Sequence, residues 1–298
     1  MGLAGCAAWG LSGCSLDTGT TGDPAGAVQG AHQADADTPR QVPVSKTYPL
    51  ALVLSSGGPR GFVHVGVLKA LVELGLKPDL VVGTSVGALV GCLFAAGVDM
   101  ARIESLALDA SLTSLFRLNL TGEGWINASG LADLVNSTID GKRLQHFPTP
   151  FAAVAIEQAT DRLTAFNWGN PGLAVHAACA VEGRLAPVHI GTRHFVDADR
   201  LNPLPVRMAQ SLGAQRVLAI DASAHEDLSP AGTEIYRASD LRKREMTRLD
   251  AQFAQLVLHP DTGYYAGASR EYRERTIQAG YVATLQQAPA LRALHLQP

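Results

Sequence analysis

Positive charge is scarce in this 298-residue chain: 24 Lys and Arg stand against 27 Asp and Glu, a formal net charge of -3. Without a clustered excess of Lys and Arg there is no surface to neutralise nucleic-acid phosphates, so nucleic acid is not expected as a partner. Cysteine is scarce too. The four cysteines form no CxxC pair and no Cys/His ligand spacing, which argues against structural zinc. Cys92 and Cys179 are expected to be small core residues, and sequence leaves open whether they pair. The dinucleotide and nucleotide fingerprints G-x-G-x-x-G and G-K-[ST] are also missing. A phosphate-cradle reading of Gly57-Gly58-Pro59-Arg60-Gly61 is therefore weak. No metal or organic cofactor is implied.

What is present is an ordinary globular composition, 47% hydrophobic with 30 glycines, which suits an α/β domain with buried strands and tight turns. The first 47 residues are different. Residues 1–14 are small and apolar but lack the basic start of a secretory signal. Leu3-Ala4-Gly5-Cys6 and Leu11-Ser12-Gly13-Cys14 resemble the lipobox of bacterial lipoproteins, with Cys14 preferred because a longer apolar stretch precedes it. The alternative is a leader with chance cysteines. Residues 15–47 have linker composition, and about 30 flexible residues span roughly 30 Å, enough to hold a domain beside a membrane. These features predict a bacterial lipid-anchored envelope protein, with a cytoplasmic one as the alternative.

From residue 48 the chain reads as one domain. Ala51-Leu-Val-Leu54 is a short apolar run of strand length that enters the glycine-rich turn Ser55–Gly61. Phe62 to Leu74 has helical periodicity and meets Gly75 where a C-terminal cap is expected. Leu80-Val-Val82 reads as a second strand. It leads into Gly83-Thr84-Ser85-Val86-Gly87 and a charge-free helical stretch. The strand, helix, strand, helix order implies a right-handed parallel crossover, which brings both glycine turns to the same edge of one sheet. Gly83-Thr84-Ser85-Val86-Gly87 has the G-x-S-x-G form of a nucleophile elbow. Ser85 would then sit at a helix N-terminus, where orphan N–H groups and the helix dipole favour developing negative charge. Gly57, Gly58 and Gly61 could aim further N–H groups there as an oxyanion hole. A transmembrane reading of Leu80 to Val98 is disfavoured by its strand-like start and the Gly-Thr-Ser interruption.

With these two glycine motifs after successive strands, the sequence resembles the patatin-like phospholipases, particularly bacterial ones. The resemblance extends over about residues 48–290: Pro150 to Ala155 as a strand, His194 to Val206 as the Asp-Gly-Gly region, Val217 to Asp221 as the next strand and Tyr272 to Thr284 as the closing helix. It implies a three-layer α/β/α fold with a mainly parallel central sheet. It also implies a serine acyl-ester hydrolase acting on lipid carboxylic esters, with Ser85 as nucleophile, Asp197 completing a Ser-Asp dyad, and the Gly57-Gly58-Pro59-Arg60-Gly61 loop holding the oxyanion. A carboxylate near its usual pKa of about 4 is a weak base for a serine hydroxyl, and burial is the expected remedy. Two departures stand out. Ala198 and Asp199 follow the aspartate where the family usually has Gly and then Gly or Ala, and Glu182 replaces a common proline. They leave a catalytically silent, membrane-tethered lipid-binding relative as one alternative. A Ser-Asp-His triad through His225 is another. His64 is expected to be a packing residue. Residues 237–256 read as a solvated helix carrying a basic cluster over an apolar stripe of Leu241, Leu249, Phe253 and Leu256, with anionic lipid contact as a secondary reading.

Overall fold

A computed structural model describes residues 37–109, 117–118, 126–224, 230–234 and 237–296. Its strands are β1 (Tyr48–Leu54), β2 (Leu80–Thr84), β3 (Arg117–Leu118), β4 (Ile126–Asn127), β5 (Phe151–Glu157), β6 (Arg162–Phe166), β7 (Val188–Ile190), β8 (Arg193–Asp197), β9 (Ala214–Ile220) and β10 (Leu256–Leu258). The helices are α1 (Phe62–Glu73), α2 (Val86–Ala95), α3 (Met100–Asp109), α4 (Ser129–Thr138), α5 (Pro171–Ala178), α6 (Val206–Ser211), α7 (Arg237–Ala251), α8 (Arg270–Gln286) and α9 (Ala288–Leu296).

The central sheet runs β10-β9-β1-β2-β5-β8-β7, with β6 also on β5. From β10 to β5 every pairing is parallel, and β6, β7 and β8 join antiparallel. β1 and β2 are buried almost throughout, as expected where helices cover both faces of a parallel sheet and the strands read as unbroken apolar runs. One core packs α1, α2 and their neighbours on one face, around Leu52, Leu54, Val65, Leu68 and Phe151. A second core lies under the other face, around Val53, Val82, Val154 and Ala219. The fold is therefore a mixed α/β structure of three layers, as the sequence resemblance implied.

Register fixes the part of the sheet that matters for chemistry. Thr84 at the end of β2 faces Val154, and Asp197 at the end of β8 faces Ala155. β6 occupies the other edge of β5 over Ala153 to Glu157. β2 and β8 therefore share one edge of β5, run toward each other, and end on adjacent residues.

The stretch from Leu80 to Val98 folds as β2 and a ten-residue helix, and no described helix is long and apolar enough to cross a membrane. Residues 39–46, placed with the linker by composition, run beside β6. Val42 N–H donates to the Asn167 side chain (2.8 Å), and Ala165 N–H donates to that of Gln41 (2.9 Å). Cys6, Cys14 and residues 15–36 lie outside the described residues. The apolar stripe expected on α7 is corrected. The helix ends at Ala251, Leu241 and Phe253 are exposed, and the helix buries Thr247 and Asp250 instead. Asp250 accepts hydrogen bonds from Asn202 and Arg207, so polar contacts dock this helix where a stripe was expected to.

Candidate active site

Ser85 is the residue between β2 and α2, with φ 56° and ψ -127°, a backbone conformation that an L-residue adopts only under tertiary constraint. The flanking glycines supply that constraint. A Cβ on Gly87 would lie 2.3 Å from the Leu54 carbonyl oxygen at the end of β1, and one on Gly83 would lie 2.4 Å from the Gly87 carbonyl oxygen. Only bare backbone lets the helix start so close to the sheet. Thr84, fully buried, donates its hydroxyl to the Asn202 carbonyl (3.0 Å), which ties the elbow to the segment after β8. The Ser85 carbonyl accepts from Ala88 N–H (2.9 Å), Leu89 N–H (3.2 Å) and the Cys179 thiol (3.2 Å).

The glycine loop forms a 3₁₀ turn over Gly58–Gly61, pressed against the elbow. A Cβ on Gly61 would lie 2.2 Å from Val86 Cγ1, so glycine there is what allows the two loops to touch. Gly58 takes φ 55° and lines the same cavity as Ser85. The five-residue oxyanion expectation narrows. Pro59 has no N–H, and Arg60 N–H donates to the Gly57 carbonyl (3.2 Å), which leaves the glycines as candidate donors. The Arg60 guanidinium is tied to the Tyr264 carbonyl.

Asp197 is buried, and its backbone N–H donates to the Ala180 carbonyl (2.9 Å). Its Oδ1 accepts from Asp199 N–H (2.8 Å). Burial, and secondarily the Asp199 carboxylate, push the Asp197 carboxyl up to about 7. The Ser85 hydroxyl, Asp199 N–H and Lys243 pull the other way. The buried Oδ2 has no hydrogen-bond partner, although the Ser85 hydroxyl is near enough to lower the pKa of the carboxyl. That is a loose donor–acceptor arrangement of the kind that tightens when substrate binds. Burial thus moves this carboxyl in the direction that a base for a serine hydroxyl would need.

Ser85 stands at a cavity of about 310 Å³ whose lining is apolar except for Ser85, Cys179 and Arg273. Val86, Leu89 and Leu93 of α2, Ile103 and Leu106 of α3, and Leu134 of α4 supply much of the wall. Arg273 of α8 closes one side and donates to the carbonyls of Ala107 (3.0 Å) and Leu108 (3.1 Å), capping the end of α3.

Histidine is not part of this arrangement among the described residues. His64 is fully buried and its Nε2 hydrogen-bonds the Ser55 carbonyl (2.9 Å), as a packing residue would. Burial lowers its pKa to about 4. His225 lies outside the described residues. The nearby Asp221 carboxylate meets His259 Nδ1 at 3.3 Å. Glu182, which stands in place of the common proline, is half exposed and paired with Arg200 Nε (2.9 Å). Sequence reading missed two contributors: Cys179, seen only as a core residue, and Lys243, whose Nζ pairs with Asp199 (2.7 Å). Nothing local marks Lys243, because it stands among other basic residues on α7. Among the described residues no cluster of three or more His, Cys, Asp or Glu could hold a metal ion.

The family profile described as Patatin-like phospholipase matches residues 52–209, a stretch that contains both glycine turns, Ser85 and Asp197. Over 183 residues the chain is 32% identical to an uncharacterized NTE family protein of Mycobacterium tuberculosis, covering 59% of this chain and 50% of that one. It is 31% identical over 200 residues to human patatin-like phospholipase domain-containing protein 6, covering 62% of this chain and 14% of that protein. The chain thus spans about half the length of the mycobacterial relative. Among solved structures, VipD from Legionella pneumophila superposes with a TM-score of 0.56 at 14% identity, over 85% of this chain and 70% of that one, which is a likeness of fold.

Proposed function

The chain belongs to the patatin-like phospholipase family, and on that premise we propose that it hydrolyses lipid carboxylic esters through a Ser85–Asp197 dyad and a covalent acyl-enzyme. The observation that carries the reading is the convergence, fixed by strand register, of a buried carboxylate whose pKa burial pushes up to about 7 with a constrained serine at the head of an apolar cavity.

In the first half-reaction ionised Asp197 takes the Ser85 proton as Oγ bonds to the ester carbonyl carbon. The carbonyl electron pair moves to oxygen, where N–H groups of the Gly57–Gly61 loop and of the α2 N-terminus stabilise it. Collapse expels the alcohol, which takes the proton from Asp197 and leaves the acyl group on Ser85. Water then attacks, Asp197 accepts its proton, and collapse releases the fatty acid while Ser85 regains a proton. The apolar cavity receives the acyl chain, and with a pKa of about 7 roughly half of Asp197 is ionised at neutral pH. Lipid attached at Cys14 or Cys6 would hold this site beside its substrate at a bacterial membrane.

The test is labelling by a fluorophosphonate, with the modified residue located by mass spectrometry, followed by incubation with a mixed lipid extract. Modification at Ser85 and release of fatty acids are expected, and Ser85→Ala should lower ester turnover by about a thousandfold or more. A folded protein that stays unlabelled and releases nothing would instead be a silent lipid-binding relative.

A further inference from the structure

Asp199 stands where the family's pattern has Gly or Ala, and its side chain bridges both halves of the site. One carboxylate oxygen, Oδ1, accepts the hydroxyl of Ser56 and pairs with Lys243 Nζ at 2.7 Å. Its own backbone N–H holds Asp197 Oδ1 at 2.8 Å. Ser56 is almost completely buried, immediately precedes the glycine loop, and donates its backbone N–H to the Pro203 carbonyl (2.8 Å). The loop that would bind the oxyanion and the turn that carries the base are therefore joined through one carboxylate. Lys243, which reaches in from α7, fixes that carboxylate from outside. We infer that Asp199 is a positioning residue which, held between Ser56 and Lys243, locks the glycine loop to the base and balances the charge that the base feels.

The inference rests on the dyad reading above. The groups acting on the Asp197 carboxylate are the Asp199 carboxylate and N–H from its own turn, the Ser85 hydroxyl from the elbow and Lys243 from α7; the neutral Cys179 thiol lies beside it after α5. Arg200, next along the turn, is engaged by Asp161 and Glu182. Asp199 and Lys243 act on Asp197 with opposite sign. Removing each alone must therefore move the base in opposite directions, which a merely structural pair would not do.

The experiment follows the rate of Ser85 labelling by a fluorophosphonate, and kcat and KM for a short-chain nitrophenyl ester, from pH 5 to 9. The proteins are wild type, Asp199→Asn, Lys243→Met and Ser56→Ala. Asp199→Asn keeps an acceptor for Ser56 but loses the charge, so its acid limb should shift down by about one pH unit. Lys243→Met leaves the Asp199 charge uncompensated, and its limb should shift up by a similar amount. Ser56→Ala should lower kcat about tenfold with little change in KM and an unshifted limb, because only the loop is released. If Asp199→Asn and Lys243→Met leave the limb in place, or move it the same way, the inference is overturned. An unchanged kcat in folded Ser56→Ala overturns the clamp. Should Ser56→Ala fail to fold, Ser56→Thr, which keeps the hydroxyl, must restore folding and kcat, or the clamp falls. Asp197→Asn separates the two layers. If wild type labels and Asp197→Asn does not, the dyad stands and the network variants alone decide; if wild type does not label, both fall.

Discussion

Replacing Asp197 by Asn should abolish activity and yet make the protein more stable in mild alkali. In the folded protein this carboxyl titrates near 7, against 3.8 for an ordinary aspartate. Between those two pH values the folded state keeps a proton that the unfolded chain has lost, so stability falls as pH rises. The loss is absent below about pH 4 and complete above about pH 7. At about 1.4 kcal/mol per pH unit, the ionised carboxylate costs the fold about 4 kcal/mol at pH 8.5. Desolvation is the main cause, since the side chain is only 3% exposed.

Asparagine is neutral at every pH and still accepts from Asp199 N–H. Its amide donors, however, enter a buried site, at a cost of about 1–3 kcal/mol if unmet. The net gain at pH 8.5 is about 1–3 kcal/mol, or a rise in Tm of roughly 3–9 °C. Near pH 4 the sign reverses, because wild type is then uncharged and the amide penalty remains. Thermal unfolding of both proteins by circular dichroism at pH 4, 5.5, 7 and 8.5 checks this. A stability difference that does not change with pH, or one that turns against the variant as pH rises, refutes the argument. In wild type the acid limb of kcat/KM should have its midpoint near pH 7.

The elbow strain predicts that Ser85→Gly raises stability by about 1 kcal/mol while Ser85→Ala leaves it unchanged, since alanine is as unsuited to positive φ as serine. Paired urea titrations decide it, with equal midpoints for the two variants counting against strain. Helices α1 and α8 cross where a Cβ on Gly66 would lie 1.8 Å from the Ile277 carbonyl oxygen, so Gly66→Ala should cost about 3 kcal/mol or more; a urea midpoint close to wild type would show that the helices simply part. Replacing both Cys6 and Cys14 with serine should shift the protein from the membrane to the soluble fraction. Wild-type protein expressed from its own start and found wholly soluble would dispose of the lipid anchor.

Much of this was legible in the sequence because the decisive features are local. Ala51 to Leu54 and Leu80 to Val82 are apolar runs bounded by glycine turns, and the crossover rule then places Gly57 and Ser85 at the same sheet edge. The close approach of helix and sheet at the elbow follows from the same pattern, since Gly83 and Gly87 leave bare backbone on both sides of Ser85. What escaped depends on contacts between distant segments. Asp199 meets Lys243 across 44 positions of sequence and Ser56 across 143, and neither partner has a periodicity or motif to announce it. The α7 stripe failed for a related reason: Leu241 and Phe253 look like a packing face, but Asp250, bonded to Asn202 and Arg207, is what docks the helix.

The placement of Ser85 near Asp197, on which the proposed dyad rests, is a property of backbone pairing more than of side-chain packing. Because β6 takes the far edge of β5, β2 and β8 must share the near one, and their opposed directions bring Thr84 and Asp197 to the neighbouring partners Val154 and Ala155. Ser85 is one residue beyond Thr84, so serine and aspartate converge whatever the surrounding helices do. Sequence change in the cavity wall, at positions such as Leu106 or Leu134, can then alter what the pocket admits without moving the reacting atoms. Asp199 differs, because it sits one turn past β8 where sheet pairing has ended. Geometry there has to be held by side chains, which is the task the Ser56 and Lys243 contacts perform.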